Sequence, residues 1–66
     1  MKLRVNGEDR EIANARNVAE LVDALGLSAP AVLVEHNGFA LRREEWTGRA
    51  LTEGDRIEII RIVAGG

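Results

Sequence analysis

Met1, Leu3 and Val5 alternate with Lys2, Arg4 and Asn6. This period of two predicts a strand with one buried face. Asn6-Gly7 follows, a pair that tolerates the positive φ values a two-residue hairpin turn requires. A second short strand over Arg10 to Ala13 should return antiparallel, with Ile12 inward. Val18, Leu21, Val22 and Leu25 then fall at i, i+3, i+4 and i+7, the apolar stripe of a helix. Asn17 is placed to cap its first turn, and Glu20 to complete a reciprocal capping box. Gly26 suits the left-handed position after a helix, with Leu27 making the contact that often follows. The pattern predicts a helix of about nine residues, Val18 to near Leu25.

Pro30 cannot donate a backbone hydrogen bond, so the next strand should start after it, over Ala31 to His36. Asn37-Gly38 turns the chain again, and Phe39 to Leu41 forms a short fourth strand. Arg42 to Ala50 is charged and irregular around Trp46, either a lid over one end of the core or an interface anchor. The Arg42 to Glu45 run reads as a solvated segment with weak ion pairs. Leu51 to Asp55 has the composition of a tight turn. Arg56 to Val63 is the last and most apolar strand. Ala64-Gly65-Gly66 lacks strand propensity and is expected to be a flexible tail.

The order is therefore β-β-α-β-(β)-β. If the first and last strands pair in parallel at the sheet centre, the arrangement is a β-grasp: an α+β fold with a four- to five-stranded mixed sheet on one helix. The domain is expected over residues 1–63 and the tail over 64–66. Alternation sends Leu3, Val5, Ile12, Val32, Val34, Ile57 and Ile59 toward the helix. Lys2, Arg4, Leu33, Glu35, Glu58, Ile60 and Ile62 fall on the other face. A solvated sheet face should be mostly polar, so Leu33, Ile60 and Ile62 stand out. They read as a small partner-docking patch rimmed by Lys2, Arg4 and Glu58, the alternatives being ordinary scattered surface apolars or a covering by Phe39 or Trp46.

Composition narrows the function. Sixty-six residues with 45% hydrophobic and 30% charged side chains describe one small globular domain. A net charge of −2 supplies no general basic footprint for nucleic acid. No apolar run approaches a membrane span, and no signal-peptide core opens the chain, so a cytoplasmic protein is expected. There is no cysteine or tyrosine, one histidine and one serine, Ser28. A nucleophile with its base and orienting group would have to be assembled from almost nothing, and a multi-histidine metal site is excluded by count. His36 is expected on the core face at a strand end, partly exposed and bonded locally. No orienting partner for proton transfer is evident in the sequence. The expectation is a protein that is not an enzyme, with no catalytic residue, no metal and no permanently bound cofactor.

The chemistry-bearing feature is the terminal Gly65-Gly66. Fewer than about one chain in a hundred would end so by chance at ordinary glycine usage, which makes the dipeptide weak alone. Its place directly after the last strand strengthens it. An α-carboxylate is anionic at neutral pH and a poor electrophile, so it must be activated, most simply as an acyl-adenylate. Residues without a Cβ permit close approach of the backbone to an enzyme's nucleotide site.

The segment LTEGDRIEIIRIVAGG resembles the C-terminal signature of ThiS-type sulfur carriers of thiamine biosynthesis, which are ubiquitin-like β-grasp proteins. VLVEHNGFALRREEW resembles their central segment, and Val5-Asn6-Gly7 and NVAELVDALGL also fit. His36 departs from the pattern, standing where a small apolar residue is common. The resemblance implies that Gly66 is adenylated by an E1-like (ThiF-type) adenylyltransferase using ATP and Mg²⁺. Ala64 and Gly65 would enter that enzyme's active site. Sulfur from a donor such as a cysteine desulfurase would convert Gly66 to a thiocarboxylate, and a ThiG-type thiazole synthase would consume it. The same fold and tail also suit the small subunit of molybdopterin synthase, a ubiquitin-like protein modifier, or a non-covalent binding module.

Overall fold

The computed structural model describes residues 1–62. The first strand, β1 (Lys2–Val5), buries Leu3 and Val5 and leaves Lys2 and Arg4 outside. Asn6 and Gly7 both have positive φ, 51° and 81°, and the chain returns at once as β2 (Glu8–Glu11), Val5 opposite Glu8. The second strand thus begins two residues before the expected Arg10, because a two-residue turn starts pairing immediately. Ile12 lies just beyond β2 and is still buried, its N–H donating to the Met1 carbonyl at 2.8 Å. Every residue of β2 is exposed, and its EDRE sequence gives the sheet a charged edge.

The helix α1 (Val18–Ala24) buries Val18, Leu21 and Val22 and half-buries Leu25. Each fully buried side chain of this kind contributes about 1.5–3 kcal/mol. Asn17 Oδ1 accepts from the Glu20 N–H at 2.8 Å, as expected. The reciprocal bond shifts by one residue: the Glu20 carboxylate accepts from the Arg16 N–H at 2.7 Å, not from Asn17. The helix is also shorter than expected, seven residues. Gly26, at φ 73°, donates to the Asp23 carbonyl, and Leu27 donates to the Val22 carbonyl. This pair of bonds closes the C-terminus with Leu25 as cap.

Ala29–Ala31 form a 3₁₀ turn containing Pro30, so Ala31 lies outside the strand expected to include it. The third strand, β3 (Val32–His36), turns at Asn37 and Gly38, φ 51° and 88°, into β4 (Phe39–Leu41). A second 3₁₀ turn, Arg43–Glu45, delivers Trp46 into the core at 3% exposure, with the Arg43 guanidinium 5.5 Å from its ring centre. Trp46 is thus a core lid, and its burial removes it as an interface anchor. The last strand, β5 (Arg56–Arg61), follows a turn in which Gly54 has φ 86°.

The sheet order is β2-β1-β5-β3-β4. The central β5 pairs in parallel with β1 and antiparallel with β3. All seven sheet residues assigned to the helix side are buried. The result is the expected ubiquitin-like β-grasp, with five strands. The expected end of the last strand at Val63, the domain boundary there and the Ala64-Gly65-Gly66 tail fall outside the described residues.

Candidate functional site

Of the three residues read as a docking patch, Leu33 lies on β3, Ile60 on the neighbouring β5 and Ile62 just past its end. Leu33 and Ile60 are direct cross-strand partners on the sheet face away from the helix, 53% and 49% exposed. Neither aromatic side chain covers them. Trp46 is buried against the helix, and Phe39 pairs with His36 on the helix side, where the Arg49 guanidinium lies 5.4 Å from its ring. The next outward pair along these strands is Glu35 opposite Glu58. The apolar pair is thus bordered by two facing carboxylates, a like-charge pairing that strands disfavour.

Ile62, 49% exposed, lies just past β5, where its N–H donates to the Ala31 carbonyl at 2.8 Å. It also lines a groove of about 440 Å³ with Leu27, Ser28, Ala31 and Arg61. Leu33 and Ile60 are brought together directly, whereas Ile62 stands at the sheet end beside this groove. Ala64, Gly65 and Gly66 lie outside the described residues.

The one histidine is engaged on both ring nitrogens. Arg49 Nε donates to His36 Nδ1 at 2.8 Å, so the proton of the neutral ring resides on Nε2, 2.7 Å from Asp55 Oδ2. His36 is 5% exposed, not partly exposed as expected. Its partners are 13 and 19 residues away in sequence and carry no local signature. Asp55 also accepts from Asn37 Nδ2 at 3.0 Å and the Thr52 N–H at 2.8 Å. Burial pushes the Asp55 carboxyl up, but the bonds from Asn37, His36 and Thr52 together outweigh it and hold it below its usual range. An imidazole with both nitrogens committed has no free lone pair for a substrate proton, so this cluster ties the β3–β4 turn to the start of β5. Among the described residues no cluster of three or more potential metal ligands occurs, and no helix is long and apolar enough to cross a membrane.

Comparison with known proteins places these features in a context. The model of the ThiS family matches residues 3–66. The crystal structure of a thiamine biosynthesis protein (ThiS) from Geobacter metallireducens superposes with a TM-score of 0.84 at 38% identity, covering both chains completely. Thiazole synthases from Paramagnetospirillum magneticum and Magnetococcus marinus are 33% and 30% identical over the whole of this chain. The chain spans only 20% of the length of each.

Proposed function

The chain belongs to the ThiS family, and we propose that it is a sulfur carrier of thiamine biosynthesis whose working group is the Gly66 carboxylate. The observation carrying this reading is the match of the ThiS family model over residues 3–66, through Gly65-Gly66, on a ThiS-like fold. The body of the domain supports it by default: its single histidine is sequestered between Arg49 and Asp55.

In the proposed cycle an E1-like adenylyltransferase with ATP and Mg²⁺ binds the domain and draws in the terminus. The carboxylate oxygen attacks the α-phosphorus, pyrophosphate leaves, and Gly66 becomes an acyl-adenylate. The terminal sulfur of a persulfide, supplied through a donor such as a cysteine desulfurase, attacks the acyl carbon and AMP departs. A thiol then cleaves the remaining S–S bond, leaving a thiocarboxylate. Thiazole synthase takes up that sulfur, and the carboxylate is regenerated. The protein is consumed and restored as a cosubstrate, in the compartment that holds these enzymes, the cytoplasm.

Relatives in which a segment like this chain forms a fifth of a thiazole synthase favour that enzyme as the acceptor. A carrier and its acceptor joined in one polypeptide meet at a high effective concentration. The exposed Leu33–Ile60 pair supplies an apolar surface near the end of β5 on which the partner enzymes dock.

Intact-mass spectrometry tests the reading. With ATP, the adenylating enzyme and a sulfur source, the chain should gain the mass of one sulfur replacing one oxygen. One alanine appended after Gly66 should abolish that gain. An extended chain that still accepts sulfur, or a wild-type chain that never does, overturns the proposal.

A further inference from the structure

Arg10 and Arg61 face the same groove on the helix side of the sheet. Register puts them there: Arg10 stands opposite buried Leu3, and Arg61 opposite buried Val32. Directly opposed residues share a face. The two arginines line a cleft of about 420 Å³ together with Asn6, Leu25 and Leu27. The Asn6 amide is already bonded to the Ile59 backbone, at 2.7 and 3.3 Å, so the cleft's charged groups are two guanidiniums. No carboxylate lines it. Glu8 shares this face of β2, opposite Val5, but lies outside the lining. Among the described residues neither arginine takes part in an ion pair. Folding leaves both exposed, in a chain of net charge −2.

Guanidinium forks bind carboxylates in bidentate fashion, and two of them around one cleft with an apolar wall fit an acidic peptide segment. Arg61 is the last residue of β5 and also lines the groove beside Ile62. The Leu33–Ile60 pair and the arginine cleft therefore lie on opposite faces of the same strand end. A protein that follows the chain toward Gly66 straddles both. A nucleotide phosphate is a poorer fit, because in the proposed cycle the acyl-phosphate bond forms at Gly66, several residues beyond Arg61 in the sequence.

Resting on the sulfur-carrier reading above, the geometry points to Arg10 and Arg61 as a specificity clamp for a carboxylate-bearing loop of the adenylating enzyme. The clamp orients the domain while the apolar pair supplies contact area. An acidic carrier is repelled by an acidic surface in general, so a local basic cleft fixes the one approach that delivers the terminus.

The test is steady-state adenylation of the full chain by its cognate enzyme, read as pyrophosphate release with carrier and ATP varied in turn. Arg61→Glu and the double variant Arg10→Glu/Arg61→Glu should raise KM for the carrier by about tenfold or more with kcat little changed. Arg61→Lys should lie between them and the wild type. Rising salt should raise the wild-type KM and leave that of Arg10→Ala/Arg61→Ala flat. The control Arg42→Glu, at an exposed arginine outside the cleft, should behave as wild type. Circular dichroism melts establish that each variant is folded. A double charge-reversal variant with unchanged carrier KM overturns the clamp, as does an equal rise in Arg42→Glu, which would mark net charge alone. A rise confined to the KM for ATP overturns it in favour of a nucleotide contact. Should the reversal variants fail to fold, a salt-independent wild-type KM overturns it by itself. If the wild-type chain is adenylated and the clamp variants match it, only this inference falls; if the wild-type chain is never adenylated, the sulfur-carrier reading falls with it.

Discussion

The side-chain amide of Asn6 pairs with the backbone of Ile59, accepting from its N–H at 2.7 Å and donating to its carbonyl at 3.3 Å. Strand β1 ends at Val5, one residue earlier, and the backbone N–H of Asn6 is bonded to the Ile57 carbonyl at 2.8 Å. The amide takes the next ladder position along β5 after the chain has turned away. One residue thus supplies the positive φ of the hairpin and continues the pairing of the central strand. Asn6→Gly keeps the φ and removes the amide, and should cost about 1–2 kcal/mol. Asn6→Ala also forces a Cβ into the left-handed region and should cost about 1–2 kcal/mol more. Urea denaturation of both variants checks the order, and faster hydrogen exchange at the Ile59 amide should accompany both.

His36 holds Arg49 and Asp55 together in a nearly buried position. His36→Ala leaves a cavity and two charged groups without their partner. It should lower unfolding free energy by about 2–4 kcal/mol. Sulfur acceptance by the protein that remains folded should be normal, since the ring serves the fold. Loss of sulfur acceptance in the folded fraction would reverse that assignment.

Asp55 carries a pH dependence whose sign follows from its depressed pKa. The folded state holds the carboxylate more tightly ionised than the unfolded chain, whose value is about 3.9. The resulting stabilisation is complete above that value and is lost as pH falls below about 4 through the lower folded value. Asp55→Asn should therefore be less stable than wild type at pH 7, and should lose less stability between pH 7 and pH 3. Urea melts at the two pH values give the comparison directly. Parallel acid slopes for the two proteins would place the titration elsewhere.

Glu35 and Glu58 face one another on the exposed side of the sheet. Glu58→Lys replaces a repulsive cross-strand pair with an attractive one and should stabilise the domain by about 0.2–1 kcal/mol. High salt should reduce the gain, which thermal melts at two ionic strengths can read.

The Leu33–Ile60 pair is exposed and contributes little to the core. Leu33→Asp with Ile60→Asp should leave the melting temperature close to wild type and weaken association with the adenylating enzyme or thiazole synthase by about tenfold or more. Calorimetric titration of the folded double variant against each enzyme measures this. Unchanged affinity for both would remove the patch from the docking surface.

The legible parts of this fold are those encoded locally. Asn6-Gly7 and Asn37-Gly38 state their turns because positive φ is a property of the residue. The helix stripe and its Gly26 stop depend on neighbours within one or two turns. Strand faces follow from alternation, so Leu33 and Ile60 stand out in the sequence as apolar residues at the polar parity. What the sequence conceals is tertiary. Arg49 and Asp55 reach His36 only because two loops converge at the β3–β4 turn. Asn6 meets Ile59 across 53 positions. The start of β2 is hidden for a subtler reason: its four exposed residues lack the apolar alternation that announces the other strands. Arg10 and Arg61 read as ordinary surface charges until the sheet register sets them on one face.

Strand β5, the last of the described strands, is clamped by a neighbour on each side, β1 in parallel and β3 antiparallel. Tension applied at the terminus by an enzyme loads both sets of ladder bonds at once, along the strand and not across it. Bonds strained in shear share the force, whereas an edge strand peeled sideways yields them one by one. For the proposed carrier cycle, the topology would give this small body a firm handle, fit to be seized, charged and released many times without being pulled apart.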